Sequence, residues 1–468
     1  MHREFLIYLP MKNSLQLLTI FLITLNLQAQ CHEKFAAGNG YVVSLKADKT
    51  IWGFGRADAG QLTTQNNSHQ LTPLQISSLT DWYSVWASGG NTYAIKNNGT
   101  LWATGGNNFG SLGNGNNTAQ YAFVQVGTAT NWKKIAASAT HAIGLRTDGT
   151  LWGWGQNDVY QLGQGTTSAS EYNPIQIGTS SDWVDIAVTS AATVAIKSDG
   201  TMWGCGFGFN ILFGLTGQYT TTLTQTYSEN WQKVHAGNGF ILALKNDGTL
   251  WAWGGSLGGI GNGTEGSTTP FQLTTDTWKD FAAGQSQSYG VKTNGTLWAW
   301  GSNNLGQLGD GTTIDRNVPT QIGTATNWDK IYASGTNTTI AVKTDGTVWV
   351  WGSNDFGQFG NGNLLEVGSS VPIQNTLLCA TLGTESFTKA SWQVYPNPAS
   401  NQVQISYDTN SEATIELYDL QGKLLKTMQT IGLQGTVTIP ISNLSKGVYL
   451  VQFSTNDGVK QSEKLVVE

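Results

Sequence analysis

The chain has 468 residues and a formal net charge of −6, and it contains no run of lysine or arginine. Since binding to a nucleic-acid backbone or an anionic membrane surface needs a concentrated basic patch, this charge pattern disfavours both partners. Charged residues make up 12% of the chain, about half of the roughly 25% usual for soluble domains. The 58 glycines and 19 tryptophans indicate tight turns between short, aromatic-rich strands, and the length predicts two or three units.

The N-terminal segment has the pattern of a secretory signal. Lys12 precedes an apolar run over residues 15–27, and a small residue follows at Ala29. The apolar run is too short for a membrane span. We therefore predict a signal peptide over residues 1–29, with translation starting at Met11, export into the periplasm and no membrane span.

A segment of about fifty residues then recurs seven times. Its most constant part reads Arg146-Thr-Asp-Gly-Thr-Leu-Trp-Gly-Trp-Gly155 in the third copy. The first tryptophan of this motif recurs every 47 to 51 residues, at Trp52, Trp102, Trp152, Trp203, Trp251, Trp298 and Trp349. A nearly constant period indicates a repeat architecture in which each copy builds one structural unit.

Each copy contains at least a β-hairpin. An Asp-Gly or Asn-Gly pair, such as Asp148-Gly149, supplies the positive φ angles of a tight turn, and apolar strands flank it. Copy one departs from this pattern with Asp48-Lys49. A second set of tryptophans opens most copies, and we predict that these are core residues: Trp82, Trp132, Trp183, Trp231, Trp278 and Trp328.

The combined motifs resemble the regulator of chromosome condensation repeat. Copies six and seven carry its most characteristic segment, Gly301-Ser-Asn-Asn-Leu-Gly-Gln-Leu-Gly309 and Gly352-Ser-Asn-Asp-Phe-Gly-Gln-Phe-Gly360. Period and turn chemistry alone leave a β-solenoid open, but the resemblance implies an all-β fold, a seven-bladed β-propeller over residues 31–380. Copies four and five depart from the pattern at residues 207–216 and 255–261, where we expect loops of different shape.

The remaining residues have a different pattern. A polar stretch over residues 381–392 is predicted to be a linker, and residues 393–468 alternate in polarity as the strands of a small β-sandwich do. Predicted strands are at 403–407, 414–418, 437–439 and 448–453.

This C-terminal unit resembles the type A C-terminal sorting domain of type IX secretion cargo. The resemblance rests on an opening motif, a Gly-Val-Tyr segment and a closing Lys-Leu-Val-Val, and its main residues are Tyr395, Pro396, Asn397, Pro398, Gly447 and Tyr449. It implies that the type IX machinery recognises this unit and takes the chain across the outer membrane, to be secreted or held at the cell surface. Whether the sorting domain is then cleaved is left open.

Three cysteines occur in the chain. Cys205 occupies a column that holds Trp or Phe in most other copies, so we predict a buried small hydrophobe. Cys31 and Cys379 flank the first and last repeats. In an oxidising compartment two thiols can pair, and our hypothesis is a Cys31–Cys379 disulfide that joins the two ends of the ring; two free thiols are the alternative.

No cofactor or metal site is predicted. The histidines that follow the signal are not spaced with a second ligand as zinc sites require, and no paired-cysteine motif occurs; they are His32, His69, His141 and His235. Gly254–Gly258 formally matches a nucleophile elbow, but Ser256 falls in a loop between β-strands and no histidine follows it.

Most acidic residues have a predicted role in turns. Asp148, Asp199, Asp247 and Asp345 lie in the hairpins, and Asp58, Asp158 and Asp355 share a loop column with asparagines, which is typical of side-chain capping. An enzyme would instead need residues such as His141, Asp158 and Asp355 to converge in one pocket with shifted pKa values.

One column varies from copy to copy while its neighbours stay apolar or small. It lies five residues before the basic residue that precedes the turn and reads Tyr41, Asn91, His141, Ala192, Phe240, Gln287 and Thr338. We predict a ligand-binding ring near the axis on one face of the propeller, because rigid scaffolds present such positions to partners. The alternative is that these residues are solvated strand ends.

These observations favour a secreted or cell-surface, non-catalytic binding module with a protein or glycan partner. Two alternatives stay open from the sequence. One is an extracellular enzyme acting on polysaccharide or peptide, and the other is a passive structural protein of the cell surface.

Overall fold

The computed structural model describes residues 32–65, 68–208, 212, 218–255, 259–264, 266–333, 335, 337–363, 368–378, 391–408, 412–430, 434–455 and 460–468. These residues form two compact units, one within Met1–Thr381 and one within Leu382–Glu468. The predicted signal peptide, Cys31, Cys379 and Ser256 lie outside the described residues. Among the residues described, no helix is long and apolar enough to cross a membrane.

The first unit is a series of antiparallel sheets. The first three groups of strands are β1 (His32–Ala37), β2 (Tyr41–Lys46), β3 (Ile51–Gly55) and β4 (Gln70–Ser77); β5 (Trp82–Ser88), β6 (Asn91–Lys96), β7 (Leu101–Gly105) and β8 (Gln120–Gln125); and β9 (Trp132–Ala137), β10 (His141–Arg146), β11 (Leu151–Asn157) and β12 (Ser168–Gln176). The next groups are β13 (Trp183–Val188), β14 (Ala192–Lys197), β15 (Met202–Phe207) and β16 (Tyr219–Tyr227); β17 (Trp231–Ala236), β18 (Phe240–Lys245), β19 (Thr249–Gly255), β20 (Gly266–Ala283), β21 (Gln287–Lys292), β22 (Leu297–Gly301) and β23 (Arg316–Gln321); and β24 (Trp328–Ala333), β25 (Thr338–Lys343), β26 (Val348–Ser353) and β27 (Gly368–Gln374). A 3-10 turn lies at Asn108–Gly110.

Strand β20 belongs to two sheets. Its first part pairs with β19, and its second part, from Trp278 onward, pairs with β21. Counted in both places, it gives seven consecutive four-stranded meanders, as a seven-bladed propeller requires. We number these blades one to seven in chain order.

The first strand of each blade is the innermost. These strands contact one another around the ring, β1 with β5, β5 with β9 and so on to β24, and β24 contacts β1. Blade seven also meets blade one, so the ring is closed by backbone hydrogen bonds. The His32 N–H donates to the Leu378 carbonyl at 3.2 Å, and the Gly362 N–H donates to the Leu71 carbonyl at 2.8 Å.

The hydrophobic core lies between blades. Each cluster of buried side chains in this unit combines two neighbouring blades; in the closing cluster, Phe35 and Phe54 of blade one pack with Ile340 and Phe359 of blade seven. The second strand of a blade is buried on both faces as a result, whereas the fourth strand is only partly buried. Stacked blades of a propeller produce this burial pattern.

The second unit consists of two packed sheets. Its strands are β28 (Ser391–Tyr395), β29 (Gln402–Asp408), β30 (Ala413–Tyr418), β31 (Leu424–Gln429), β32 (Gln434–Pro440), β33 (Gly447–Thr455) and β34 (Lys460–Val467). One sheet has the order β28-β29-β32 and the other β31-β30-β33-β34. Val403, Ile405, Ile415, Val451 and Phe453 are among the residues of its core. The predicted strands are present, and β28, β31 and β34 are additional.

Candidate binding site in the axial channel

Every blade carries the same hydrogen-bonded chain at its tight turn. In blade three the Asp148 carboxylate accepts from the Thr150 N–H at 3.0 Å and from the Thr150 hydroxyl at 2.7 Å, and this hydroxyl accepts from the Trp152 indole at 3.0 Å. The Thr150 hydroxyl lowers the pKa of Asp148. The same chain occurs in the other blades: Asp48–Thr50–Trp52, Asn98–Thr100–Trp102, Asp199–Thr201–Trp203, Asp247–Thr249–Trp251, Asn294–Thr296–Trp298 and Asp345–Thr347–Trp349.

The glycine of this turn is required for two reasons. Gly149 has a φ of 77°, which favours glycine because other side chains are strained there. A Cβ at Gly149 would also lie 2.1 Å from the carbonyl oxygen of Ser181, at the entry to the next blade. In blade one, Lys49 takes this conformation with a φ of 67°. We call the face that carries these turns the turn face, and the opposite face the loop face.

A basic side chain lies between two tryptophans at the turn face. The Arg146 guanidinium carbon is 4.6 Å from the ring centroid of Trp132 and 3.6 Å from that of Trp152, within the range of cation–π attraction. Lys96, Lys197, Lys245, Lys292 and Lys343 are placed in the same way. In blade one His32 replaces one tryptophan, and Lys46 meets Trp52 alone. Together the turn chains and these sandwiches form what we call the frame, and the tryptophans are part of it.

The innermost strands enclose an axial channel with two chambers. The turn-face chamber has a volume of about 660 Å³ and the loop-face chamber about 410 Å³. Ala87, Ala137, Val188 and Ala236 line both, so the chambers meet at a ring of small apolar residues. The loop-face chamber is lined further out by polar side chains, including Ser138, Ser190, Asn238 and Gln285.

The third residues of the innermost strands form a ring of mostly charged side chains, which we call the charged ring. It consists of Lys34, Ser84, Lys134, Asp185, Lys233, Asp280 and Lys330. Asp185 pairs with Lys134 and accepts from the Val234 N–H of the next blade at 2.8 Å. Asp280 accepts from the Ile331 N–H of the next blade at 3.0 Å and lies 4.0 Å from Lys330. Both carboxylates therefore link neighbouring blades, and burial raises the pKa of Asp280.

Aromatic side chains lie two residues further along the same strands. Trp86, His235 and Tyr332 line the turn-face chamber at this level, where the other four blades have alanine. The His235 ring is 4.7 Å from Phe281 and the Tyr332 ring 5.7 Å from Phe35, measured between centroids. Crowding by the channel wall, reinforced by Lys134, lowers the pKa of His235, whose side chain is nevertheless exposed to the channel.

The sorting motif of the second unit is held against its last strand. The Asn397 side chain donates to the Lys464 carbonyl at 2.6 Å and accepts from the Val466 N–H at 2.9 Å. Ala399 continues this contact, since its N–H donates to the Val466 carbonyl at 2.9 Å. The Tyr449 hydroxyl donates to the Ser445 carbonyl at 2.8 Å. The opening and closing segments of the motif thus meet in space.

Comparisons with protein families agree with both units. Two family models, each described as the regulator of chromosome condensation (RCC1) repeat, match residues 148–196, 294–342 and 345–390, and residues 132–161, 278–307 and 330–358. The secretion system C-terminal sorting domain matches residues 393–468. The chain therefore carries RCC1 repeats, followed by a type IX sorting domain. This domain marks the RCC1-repeat chain for export by type IX secretion, to the cell surface or the medium.

Solved structures show the same propeller fold. Yeast RCC1 (Prp20), crystallised bound to Kap60, is 17% identical with a TM-score of 0.63 over 79% of this chain and 88% of that chain. Prp20p of Saccharomyces cerevisiae, described with its binding to Gsp1p and histones, is 17% identical with a TM-score of 0.62 over 78% and 90%. Human WBSCR16 is 18% identical with a TM-score of 0.59 over 65% and 85%. At these identities the similarity shows the fold alone, and no curated protein sequence matches the chain significantly.

The predicted binding column of the RCC1-repeat unit lies inside the blades. Tyr41, Asn91, His141, Ala192, Phe240, Gln287 and Thr338 each begin a second strand, and each is at most 2% exposed. The Tyr41 hydroxyl donates to the Asn91 carbonyl at 2.5 Å, and Asn91 donates to the Ser111 hydroxyl at 2.9 Å. The axis is lined instead by the first strands, one strand further in. A role of this column in binding stays a prediction, and burial limits it to positioning the exposed residues nearby.

The channel-lining residues were missed because every strand of a blade is partly apolar. A usable signal was present in the first strands, where Trp86, His235 and Tyr332 interrupt a column of alanines. The position two residues earlier in these strands also differs between blades. It is Ser84 in blade two, where blades one, three and seven have Lys34, Lys134 and Lys330.

The other candidate residues have local contacts. His141 shares a hydrogen bond of 2.8 Å with Ser138, Asp158 accepts from Gln156 and Gln161, and Asp355 accepts from Ser353. Each of these bonds lies within one blade, at a turn or a strand end. Cys205 is buried, as predicted, and its thiol contacts the Gln161 carbonyl at 3.7 Å. Cys31, Cys379 and Ser256 lie outside the described residues.

Proposed function

We propose that this RCC1-repeat chain is a non-catalytic binding module that recognises a protein or glycan outside the cell through its axial channel. Type IX export places the propeller outside the cell. The observation that carries the proposal is the contrast between the turn chains, which are repeated in all blades, and a channel wall that differs from blade to blade. Recognition needs differing side chains held on a rigid support.

The channel wall has the chemistry of a recognition site. Trp86 and Tyr332 present aromatic surface, and Lys34, Lys134 and Lys330 bring cationic groups to the same chamber. Concave sites with mainly apolar walls and a few placed polar groups are where proteins commonly hold ligands. Aromatic residues in such sites often contribute most of the binding energy.

The proposal is tested by binding of the purified full chain to arrays of glycans and of extracellular proteins. We expect a specific ligand whose binding is lost in a variant with Trp86→Ala and Tyr332→Ala. The matched control carries Tyr121→Ala and Tyr172→Ala, two exposed tyrosines on outer strands of blades two and three. Binding that both variants retain would move the site to another surface, and no binding to either array would favour a passive structural role.

A further inference from the structure

The lysines of the charged ring are more exposed than the aspartates with which they pair. The Asp185 side chain is 11% exposed and that of Asp280 is 20% exposed, while their lysine partners Lys134 and Lys330 are 30% and 44% exposed. Each aspartate also accepts a backbone N–H from the next blade, so its oxygens are turned into the wall. The chamber is lined by the ammonium groups of Lys34, Lys134 and Lys330 and by two carboxylates, Glu33 and Asp329, which pair with Lys49 and Lys279.

The excess of positive charge is local. The innermost strands carry six lysines and four carboxylates, although the whole chain has a net charge of −6. Lys34 has no carboxylate partner among the described contacts; its ammonium donates to the Tyr83 carbonyl at 2.9 Å and lies 4.6 Å from the Tyr83 ring. Positive groups within a concave, low-dielectric wall attract anionic partners more strongly than the same groups on an open surface.

The cationic and aromatic groups cluster on one side of the channel. Lys330 and Tyr332 come from blade seven, Lys34 from blade one and Trp86 from blade two, and these blades are consecutive around the ring. An anionic ligand with an apolar group can meet both sets at once. Its charged groups would lie at the rim and its apolar group one level deeper.

The floor of the chamber favours a peptide over a sugar. At the level below the aromatic residues the innermost strands have only alanine and valine: Ala37, Ala87, Ala137, Val188, Ala236, Ala283 and Ala333. A sugar inserted to this depth would lose hydrogen bonds from its hydroxyl groups to water without side-chain partners in return, which is costly. An aromatic or aliphatic side chain gains from the same burial.

We propose, building on the binding function above, that the turn-face chamber takes an acidic peptide segment of a partner protein. Its carboxylates meet Lys34, Lys134 and Lys330. An aromatic or aliphatic side chain of the segment packs against Trp86 and Tyr332 above the alanine ring. Attraction of this kind weakens with salt because the rim is open to solvent.

The test measures binding of the full chain to a labelled random copolymer of glutamate and tyrosine by fluorescence anisotropy. We expect saturable binding that weakens at least tenfold between 50 and 300 mM NaCl, the range over which screening of exposed charges becomes strong. A Lys34→Ala, Lys330→Ala double variant should weaken binding by about tenfold or more, as loss of close charge pairs does. Trp86→Ala should weaken it by a similar factor, as loss of an aromatic anchor does.

Matched controls separate the chamber from general charge and surface effects. Lys446→Ala changes an exposed lysine of the sorting unit, and Tyr172→Ala an exposed tyrosine of an outer strand; both should bind as the unchanged chain does. Trp86 also packs against the core between blades two and three, so folding of its variant is checked by its urea unfolding curve. The other variants should keep the unfolding midpoint of the unchanged chain. Equal weakening by chamber and control variants would overturn the proposal.

A second probe separates the failure of this inference from the failure of the proposed function. Polygalacturonate carries carboxylates on a sugar backbone, and neutral glucans carry none. Binding of polygalacturonate at Lys34 and Trp86, without binding of the copolymer, would overturn the peptide assignment and leave the channel as a binding site. A third outcome is also informative. If the unchanged chain bound neither polymer, but the Trp86→Ala, Tyr332→Ala variant lost the array ligands, the acidic-peptide proposal would be refuted and the proposed binding function would stand.

Discussion

The frame at the turn face and the wall of the channel are built by the same blades, yet they use sequence in opposite ways. In the frame, Thr150 and Trp152 of blade three have counterparts with the same hydrogen bonds in every other blade. In the wall, Trp86, His235 and Tyr332 have mostly alanine counterparts. The difference teaches that the repeated contacts fix the position of the innermost strands, while the side chains that these strands turn to the channel vary from blade to blade.

The largest expected effect lies in the packing between blades, which supports both the frame and the wall. Trp351 is fully buried and its indole donates to the Gln307 carbonyl of blade six at 2.8 Å. Trp351→Ala should lower the free energy of unfolding by about 3–5 kcal/mol, through lost burial and the cavity left behind. The measurement is the urea unfolding midpoint.

The comparison variant is Tyr83→Ala, which changes a residue on an innermost strand that is 55% exposed. It should alter the free energy of unfolding by no more than about 0.5 kcal/mol, as is usual at surface positions. Similar losses in both variants would remove the distinction between the packing that supports the blades and the wall of the channel.

The second effect concerns the seam where blade seven meets blade one. His32 and Leu378 are hydrogen bonded across it, and their chain neighbours are Cys31 and Cys379. If these cysteines pair, as we predict, Cys31→Ser should cost about 2–4 kcal/mol, chiefly by releasing the unfolded chain. Added reductant should destabilise the unchanged chain and leave the variant as it is, and mass mapping without reductant would contradict the pairing if both thiols were free.

The third effect uses two histidines, one in a blade and one in the channel wall. Burial lowers the pKa of His141 to about 4, from an ordinary value of 6.5. Between these pH values the unfolded chain binds a proton that the folded chain does not, so stability falls as pH falls from about 6.5 to 4, by on the order of 2–3 kcal/mol. His141→Asn, which installs the residue found at Asn91 in blade two, should reduce this loss.

His235 is the matched comparison, because its ring is exposed to channel water. Water there can stabilise the charged imidazole, so His235→Asn should change the pH dependence less than His141→Asn does. The unfolding midpoint between pH 4 and pH 8 measures both. His32 is buried and its pKa is also lowered, to about 3, so part of the loss should persist in either variant. If the stability of His141→Asn depended on pH as steeply as that of the unchanged chain, the attribution of this loss of stability to His141 would be wrong.

The sequence predicted the architecture better than it predicted the site, for a physical reason. The period of about fifty residues, together with a tight turn such as that at Gly149, defines the strands and turns of each blade. Which strand lies nearest the axis depends on how blades pack together, and the apolar pattern of Ile143 and Leu145 in the second strand does not distinguish an inner from a middle position. The sequence pattern therefore predicts an axial position for the variable column that begins with Tyr41, which lies one strand away from Lys34 and Trp86.

The smallest expected effect concerns the hydrogen-bonded chain at the tight turn of one blade. The Thr150 hydroxyl donates to Asp148 and accepts from Trp152, so Thr150→Val removes two hydrogen bonds while it keeps the shape of the side chain. These bonds are partly exposed to water, which can replace them, and the expected cost is therefore about 1 kcal/mol rather than the sum of two buried bonds. Thr150→Ser keeps the hydroxyl and should stay within about 0.5 kcal/mol of the unchanged chain. If valine and serine behaved alike in urea unfolding, the seven turn chains would be a consequence of blade geometry rather than a cause of it, and the rigidity of the channel wall would have to rest on the packing between blades.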